Sequence, residues 1–184
     1  VLLLVTAHVW KGLLDTRPSP SLEVIFFDVG QGDAALVTFP NGRHLLVDTG
    51  PRSPYGDAGT SVVAPHLRRH GVDRLDAVLI SHPDSDHLGG LPSILRNIPV
   101  ERLIMNDPLE RSALVDEVEM LIDSLDVSRR AAYAGDTLSM DQSTLVHILG
   151  PSSASRHVQG RNDASILMQL THGQNQFLFL GDVE

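Results

Sequence analysis

The sequence has no cysteine, a single lysine (Lys11), few aromatic residues (4%) and no apolar run long enough to cross a bilayer. Each shortage excludes something. Without cysteine there is no disulfide scaffold, no thiolate zinc site and no thiol nucleophile, so any metal must be held by histidine and carboxylate. A spanning helix needs about 20 apolar residues. The opening stretch VLLLVTAHVW falls well short of that. No G-x-S-x-G nucleophile elbow occurs, which disfavours a Ser-His-Asp hydrolase. Basic residues number 14 against 23 acidic ones, for a net charge of −9. That is a poor footprint for a protein that grips nucleic acid by its own charge.

What is present fits one globular domain: 184 residues, 42% of them hydrophobic, are enough for a single core. Residues 1–11 are expected to be the end of a transmembrane helix, with Trp10 and Lys11 at the interface. A buried helix or strand is the alternative. Residues 12–21, where Pro18 and Pro20 alternate with serine, read as a linker. The folded domain is then 22–184, and its C-terminal FLFLGDVE stops directly after a strand pattern, so the domain is expected to be truncated there.

Apolar runs at 22–29 and 34–39 predict two strands, and Pro40-Asn41-Gly42 predicts a hairpin into a third at 43–47. Helical spacing follows at 60–70, perturbed by Pro65 and ended by Gly71. Strands at 75–81 and 100–105 then alternate with helices at 88–97 and 110–125. Further strands are expected at 131–134, 144–149, 165–171 and 177–180. Strands, then βα alternation, then strands again predict an α/β sandwich of two sheets with helices outside.

The chemistry concentrates in LISHPDSDHLGG, residues 79–90, at the end of a predicted strand. Ligands in α/β folds collect at the carboxyl ends of strands. His82, Asp84, Asp86 and His87 offer two imidazoles and two carboxylates on one tight loop, a donor set that suits Zn²⁺ and is tolerated by Mn²⁺ or Fe²⁺. Gly89 and Gly90 would permit close backbone approach. The bland alternative is a solvated acidic turn that caps the next helix. Gly30 and Gly32 around Gln31 allow a tight turn, with Asp33 free to bond loop amides or orient a ligand; Asp48, at the end of the third predicted strand, is a candidate outer partner or a plain turn former.

HPDSDHLGG resembles the HxHxDH signature of the metallo-β-lactamase fold, in the variant where the second histidine is aspartate. Together with DVGQGD (28–33), LLVDTG (45–50) and FLGDVE (179–184), it resembles the C-terminal domain of the ComEC family of competence DNA-uptake proteins. The resemblance implies a metallo-β-lactamase-type αβ/βα sandwich. It also implies that His82 and Asp84 bind a first metal, that Asp86 and His87 bind a second, and that Asp182 bridges them. Asn162 or Asp163 stands where the wider superfamily has a further histidine, with His157 a weaker substitute.

The same resemblance implies a metal-dependent hydrolase domain, with one or two divalent ions (Zn or Mn), attached to a membrane DNA-uptake channel. Its substrate would be single-stranded DNA, the strand that is not transported, with Asp86, Asp84 and His82 at the catalytic centre. The implied partners are the channel portion of the same protein, competence machinery proteins, and lipid through the N-terminal segment. The implied location is a bacterial cell membrane, with the hydrolase domain outside the bilayer. Two alternatives stay open: an independent hydrolase of the same fold acting on a small ester or amide, and a non-catalytic domain that binds DNA or a partner.

Overall fold

The computed structural model describes residues 21–107, 111–153 and 164–183. Residues 1–20, which contain the expected membrane helix end and most of the linker, lie outside the described residues, as do His157, Asn162 and Asp163. Among the described residues no helix is long and apolar enough to cross a membrane.

Two sheets face each other. The first contains β1 (Glu23–Phe26), β2 (Ala35–Thr38), β3 (His44–Val47), β6 (Ala77–Leu79), β7 (Arg102–Ile104) and β8 (Ser128–Arg130), in the order β1-β2-β3-β6-β7-β8. Its first three strands form the expected antiparallel meander, turned at Asn41-Gly42, and β3, β6, β7 and β8 run parallel. The second sheet contains β9 (Thr137–Leu138), β10 (Thr144–Gly150), β11 (Leu167–His172) and β12 (Asn175–Phe179), antiparallel throughout, in the order β12-β11-β10-β9. A short hairpin, β4 (Arg52–Ser53) with β5 (Gly56–Asp57), projects from the loop after β3 and carries a fully exposed Tyr55.

Parallel pairing needs crossovers, and helices supply them. A wide π-helical stretch, Gly59–Val63, runs into α1 (Ala64–Arg69), and the change of pitch falls where Pro65 has no N–H to donate. Gly71, at φ +69°, ends it in the left-handed conformation. The helix expected at 88–97 is split into a single turn, α2 (Ser85–Leu88), and α3 (Leu91–Asn97), with Pro92 in the first turn of α3. Helix α4 (Ala113–Ser124) starts where the Ser112 hydroxyl accepts a bond from Val115 N.

The core has two layers. Leu46, Val78, Ile80 and Leu103 on one face of the first sheet pack against Leu67, Leu91, Ile94, Val118 and Ile122 of the helices. Val37, Leu45, Leu79 and Ile104 on its other face pack against Val146, Ile148, Met168 and Leu170 of the second sheet. Adjacent residues such as Leu45 and Leu46 therefore serve opposite layers, as strand alternation requires.

One expected strand is displaced. Residues 131–134 are not a strand; the pairing partner of β7 is Ser128–Arg130. That strand is the sheet edge, where arginines are tolerated, and Arg129 pairs with Asp107 and Glu119. A second ionic group braces the helices: Glu117 on α4 accepts from Arg52 and Arg96, both at 2.6 Å. The two guanidiniums hold the Glu117 carboxyl below its ordinary 4.5. Its contribution to stability is therefore complete above pH 4.5 and is lost as pH falls through the lower folded value. Melting curves should show Glu117→Gln less stable than the wild type near neutral pH, with the gap closing on acidification below 4.5.

Candidate metal centre

The carboxyl ends of β1, β3, β6 and β12 lie at one edge of the sandwich, and each is followed by a loop that carries candidate residues. Backbone bonds stitch the loops together. Thr49 N and Thr49 Oγ1 both donate to His87 O (2.8 and 2.7 Å), Gly50 N donates to Asp33 O (2.8 Å), and Gly90 N donates to Gly50 O (3.1 Å). Close approach explains two glycine sites. A Cβ on Gly32 would lie 2.1 Å from Asp86 O, and one on Gly90 would lie 2.2 Å from Thr49 O.

Asp48 organises the interior of the site. It is buried and has φ +56°, a left-handed conformation that aspartate tolerates better than most residues. Its Oδ1 accepts from Ser81 N (2.7 Å), and its Oδ2 accepts from Ser81 Oγ (2.7 Å) and from His87 Nδ1 (3.0 Å). A carboxylate only accepts, so His87 carries its hydrogen on Nδ1. The Ser81 hydroxyl hydrogen is committed to Asp48, so Ser81 Oγ accepts from His82 Nδ1 at 3.0 Å. One carboxylate thus sets both imidazoles, and both Nε2 atoms are turned the same way, into the site.

Those Nε2 atoms are buried and meet no hydrogen-bond partner, although Asp182 Oδ1 lies 3.3 Å from that of His87 and Asp84 Oδ2 lies 3.9 Å from that of His82. The two rings stand 4.1 Å apart. Two sets of ligand atoms converge within 4.8 Å: His82, Asp86 and His87 form one, and Asp33, His87 and Asp182 form the other. Imidazole nitrogens and carboxylate oxygens are the donors a divalent cation takes. Orphaned, buried Nε2 atoms among carboxylates fit such an ion better than they fit a packed interior.

The electrostatics agree. Burial pushes the Asp33 carboxyl up, and Asp48, Asp182 and Asp86 push it further against the opposing pull of His87. Burial, then the neighbouring His87, lowers His82. Burial would lower His87 too, but the Asp48 hydrogen bond and the charges of Asp48, Asp182 and Asp86 raise it to about 9. The cluster concentrates negative charge that a proton on His87 only partly offsets.

The sequence-predicted residues divide as follows. His82, Asp86, His87 and Asp182 enter the two ligand sets, whereas Asp84 faces His82 from the N-cap position of α2. Asp33, read from sequence as an outer partner, shares a ligand set with His87 and Asp182. Asp48 contacts His87, and through Ser81 His82, as an outer partner, and Gln31 is exposed on its turn. Ser81 is at none of the motif's ligand positions; its place directly before His82 at the strand end is the signal for it.

Residues 27–184 match the Metallo-beta-lactamase superfamily, and the chain belongs to that superfamily. Within it, several relatives carry the names of ComEC-family competence proteins, the family the motifs resemble, and others are named Anti-Pycsar protein Apyc1. The chain is 27% identical to ComE operon protein 3 of Bacillus subtilis (strain 168), covering 88% of this chain and 22% of that protein. It is 39% identical to Recombination protein 2 of Haemophilus influenzae over 46% of this chain and 10% of that protein. The chain therefore spans only a minor part of these relatives' length. Among solved structures, the metallo-beta-lactamase fold protein YhfI from Bacillus subtilis matches with a TM-score of 0.55 at 17% identity, covering 88% of this chain and 62% of that one. That likeness supports the fold.

Proposed function

We propose that this domain hydrolyses phosphodiester bonds of single-stranded DNA with two divalent cations, Zn²⁺ or Mn²⁺, as part of a membrane DNA-uptake protein. The observation that carries the reading is the overlap of two three-residue ligand sets at His87, whose one free nitrogen, Nε2, would serve one cation while the carboxylates of Asp33, Asp86 and Asp182 are left for the other. Cations bound there would polarise a phosphoryl group and lower the pKa of a bound water. Asp48 holds His87 directly and His82 through Ser81, so the two imidazoles would meet a cation without reorganising. Asp33 and Asp182 are exposed, so the substrate phosphate reaches the site from their side.

Net acidity is no obstacle on this reading. Several of the aspartates behind the −9 charge are the seats of the cations that attract phosphate. The relatives' names, a ComE operon product and a recombination protein, support DNA as the polymer. The partners of the whole protein would then be its own channel portion, other competence proteins and the lipid bilayer, reached through the N-terminal segment. The location would be a bacterial cell membrane, with this domain outside the bilayer.

The test is direct. The full chain with Mn²⁺ should shorten a single-stranded oligonucleotide, EDTA should stop it, and a β-lactam or thioester should not be turned over. Stoichiometric metal without cleavage of single-stranded DNA would overturn the proposal.

A further inference from the structure

A cavity of about 190 Å³ opens beside the candidate metal centre, and one of its walls has no part in the chemistry above. Asp33, Asp48 and Ser81 line it, together with the apolar residues Phe26, Leu178, Phe179 and Leu180. The topology puts them together. Phe26 closes β1 and Phe179 closes β12, and the loops that follow these two strands carry Asp33 and Asp182. The Phe26 and Phe179 rings stack, with centroids 5.8 Å apart and planes inclined by 26°. Phe179 is nearly buried beneath, while Phe26 is 65% exposed. A large aromatic ring left in water is unfavourable unless something covers it.

We infer that Phe26, backed by Phe179, is a platform on which a nucleobase of a single-stranded nucleic acid stacks while a neighbouring phosphodiester lies at the acidic cluster. The inference rests on the proposed nuclease reading and adds how the substrate is gripped. Two properties of the wall fit a base. The open ring presents a flat π-surface, and the apolar part of the lining, Phe26, Leu178, Phe179 and Leu180, carries no side-chain hydrogen-bonding code. Stacking without such a code is the mode by which single-stranded nucleic acid is held irrespective of sequence.

Two oligonucleotides of equal length, one of thymidines and one of abasic tetrahydrofuran units, test this with the full chain and Mn²⁺. The wild type should have a KM for the thymidine strand lower by roughly 5- to 100-fold, the range expected from stacking one base. In Phe26→Leu this preference should collapse towards one, and in Phe26→Trp it should be kept. Melting curves of both variants report folding. A preference that survives Phe26→Leu overturns the platform, and equal KM values for the two strands in the wild type do the same while leaving the nuclease reading intact. Cleavage of neither strand by the metal-loaded wild type overturns both. A large loss of melting temperature in Phe26→Leu, with the thymidine preference retained, assigns the wall to protein packing and likewise overturns it.

Discussion

Asp86→Ala is expected to lower metal-dependent turnover by more than about 100-fold, beyond the 10- to 100-fold that loss of an outer partner of a metal ligand typically costs. Its carboxylate joins His82 and His87 in one ligand set, and removing it leaves two donors where three converged. The side chain is only half-buried, and Gly32 packs against the Asp86 backbone carbonyl, which the substitution keeps. Stability of the metal-free chain should therefore move by no more than about 0.5 kcal/mol. Turnover and thermal melting measured on the same preparation separate the two effects. Turnover that survives this change would remove Asp86 from the centre.

Asp48→Asn should act in the opposite manner, on affinity and on the fold together. Asparagine tolerates the left-handed backbone at this position, so the conformation is kept. The loss lies in acceptors. Asp48 receives three donors, Ser81 N, Ser81 Oγ and His87 Nδ1, on two oxygens, and an amide offers one oxygen and an NH₂ that cannot accept. At least one buried donor is stranded, at a cost of about 1–3 kcal/mol. His87 and, through Ser81, His82 lose the partner that turns Nε2 inward, so Zn²⁺ or Mn²⁺ affinity should fall about 10- to 100-fold. Calorimetric metal titration and melting curves measure both. Unchanged affinity would mean that the histidines are oriented by packing alone.

The sequence is most legible where structure is local. The hairpin at Asn41-Gly42, the left-handed stop at Gly71 and the histidine loop each depend on neighbouring residues, and each is readable from them. Two sheets follow from the order of strand and helix signals. What could not be read is set by contacts between distant residues. Asp48 and His87 are 39 positions apart, and nothing in LLVDTG states that its aspartate holds one imidazole directly and a second through Ser81. Asp33 joins Asp182 only because β1 and β12 end at the same edge of the sandwich. The strand at Ser128–Arg130 is concealed for a different reason: Arg129 is paired with Asp107 and Glu119 and Arg130 with Asp136, rather than held by apolar burial, so its composition does not look like a strand.

His82 and His87 follow a strand of the first sheet, and Asp182 follows a strand of the second. An ion held by His87 and Asp182 would thus be a cross-link between layers that otherwise meet through apolar packing and a few hydrogen bonds, such as Ile166 N to Ser81 O and Asn41 Nδ2 to Met140 O. Such an ion cannot be fully bound until the sheets have docked, so its binding energy adds to the cohesion of the sandwich. On that reading the centre would be a clasp: the same act that arms the chemistry would also tie β12 to the first sheet.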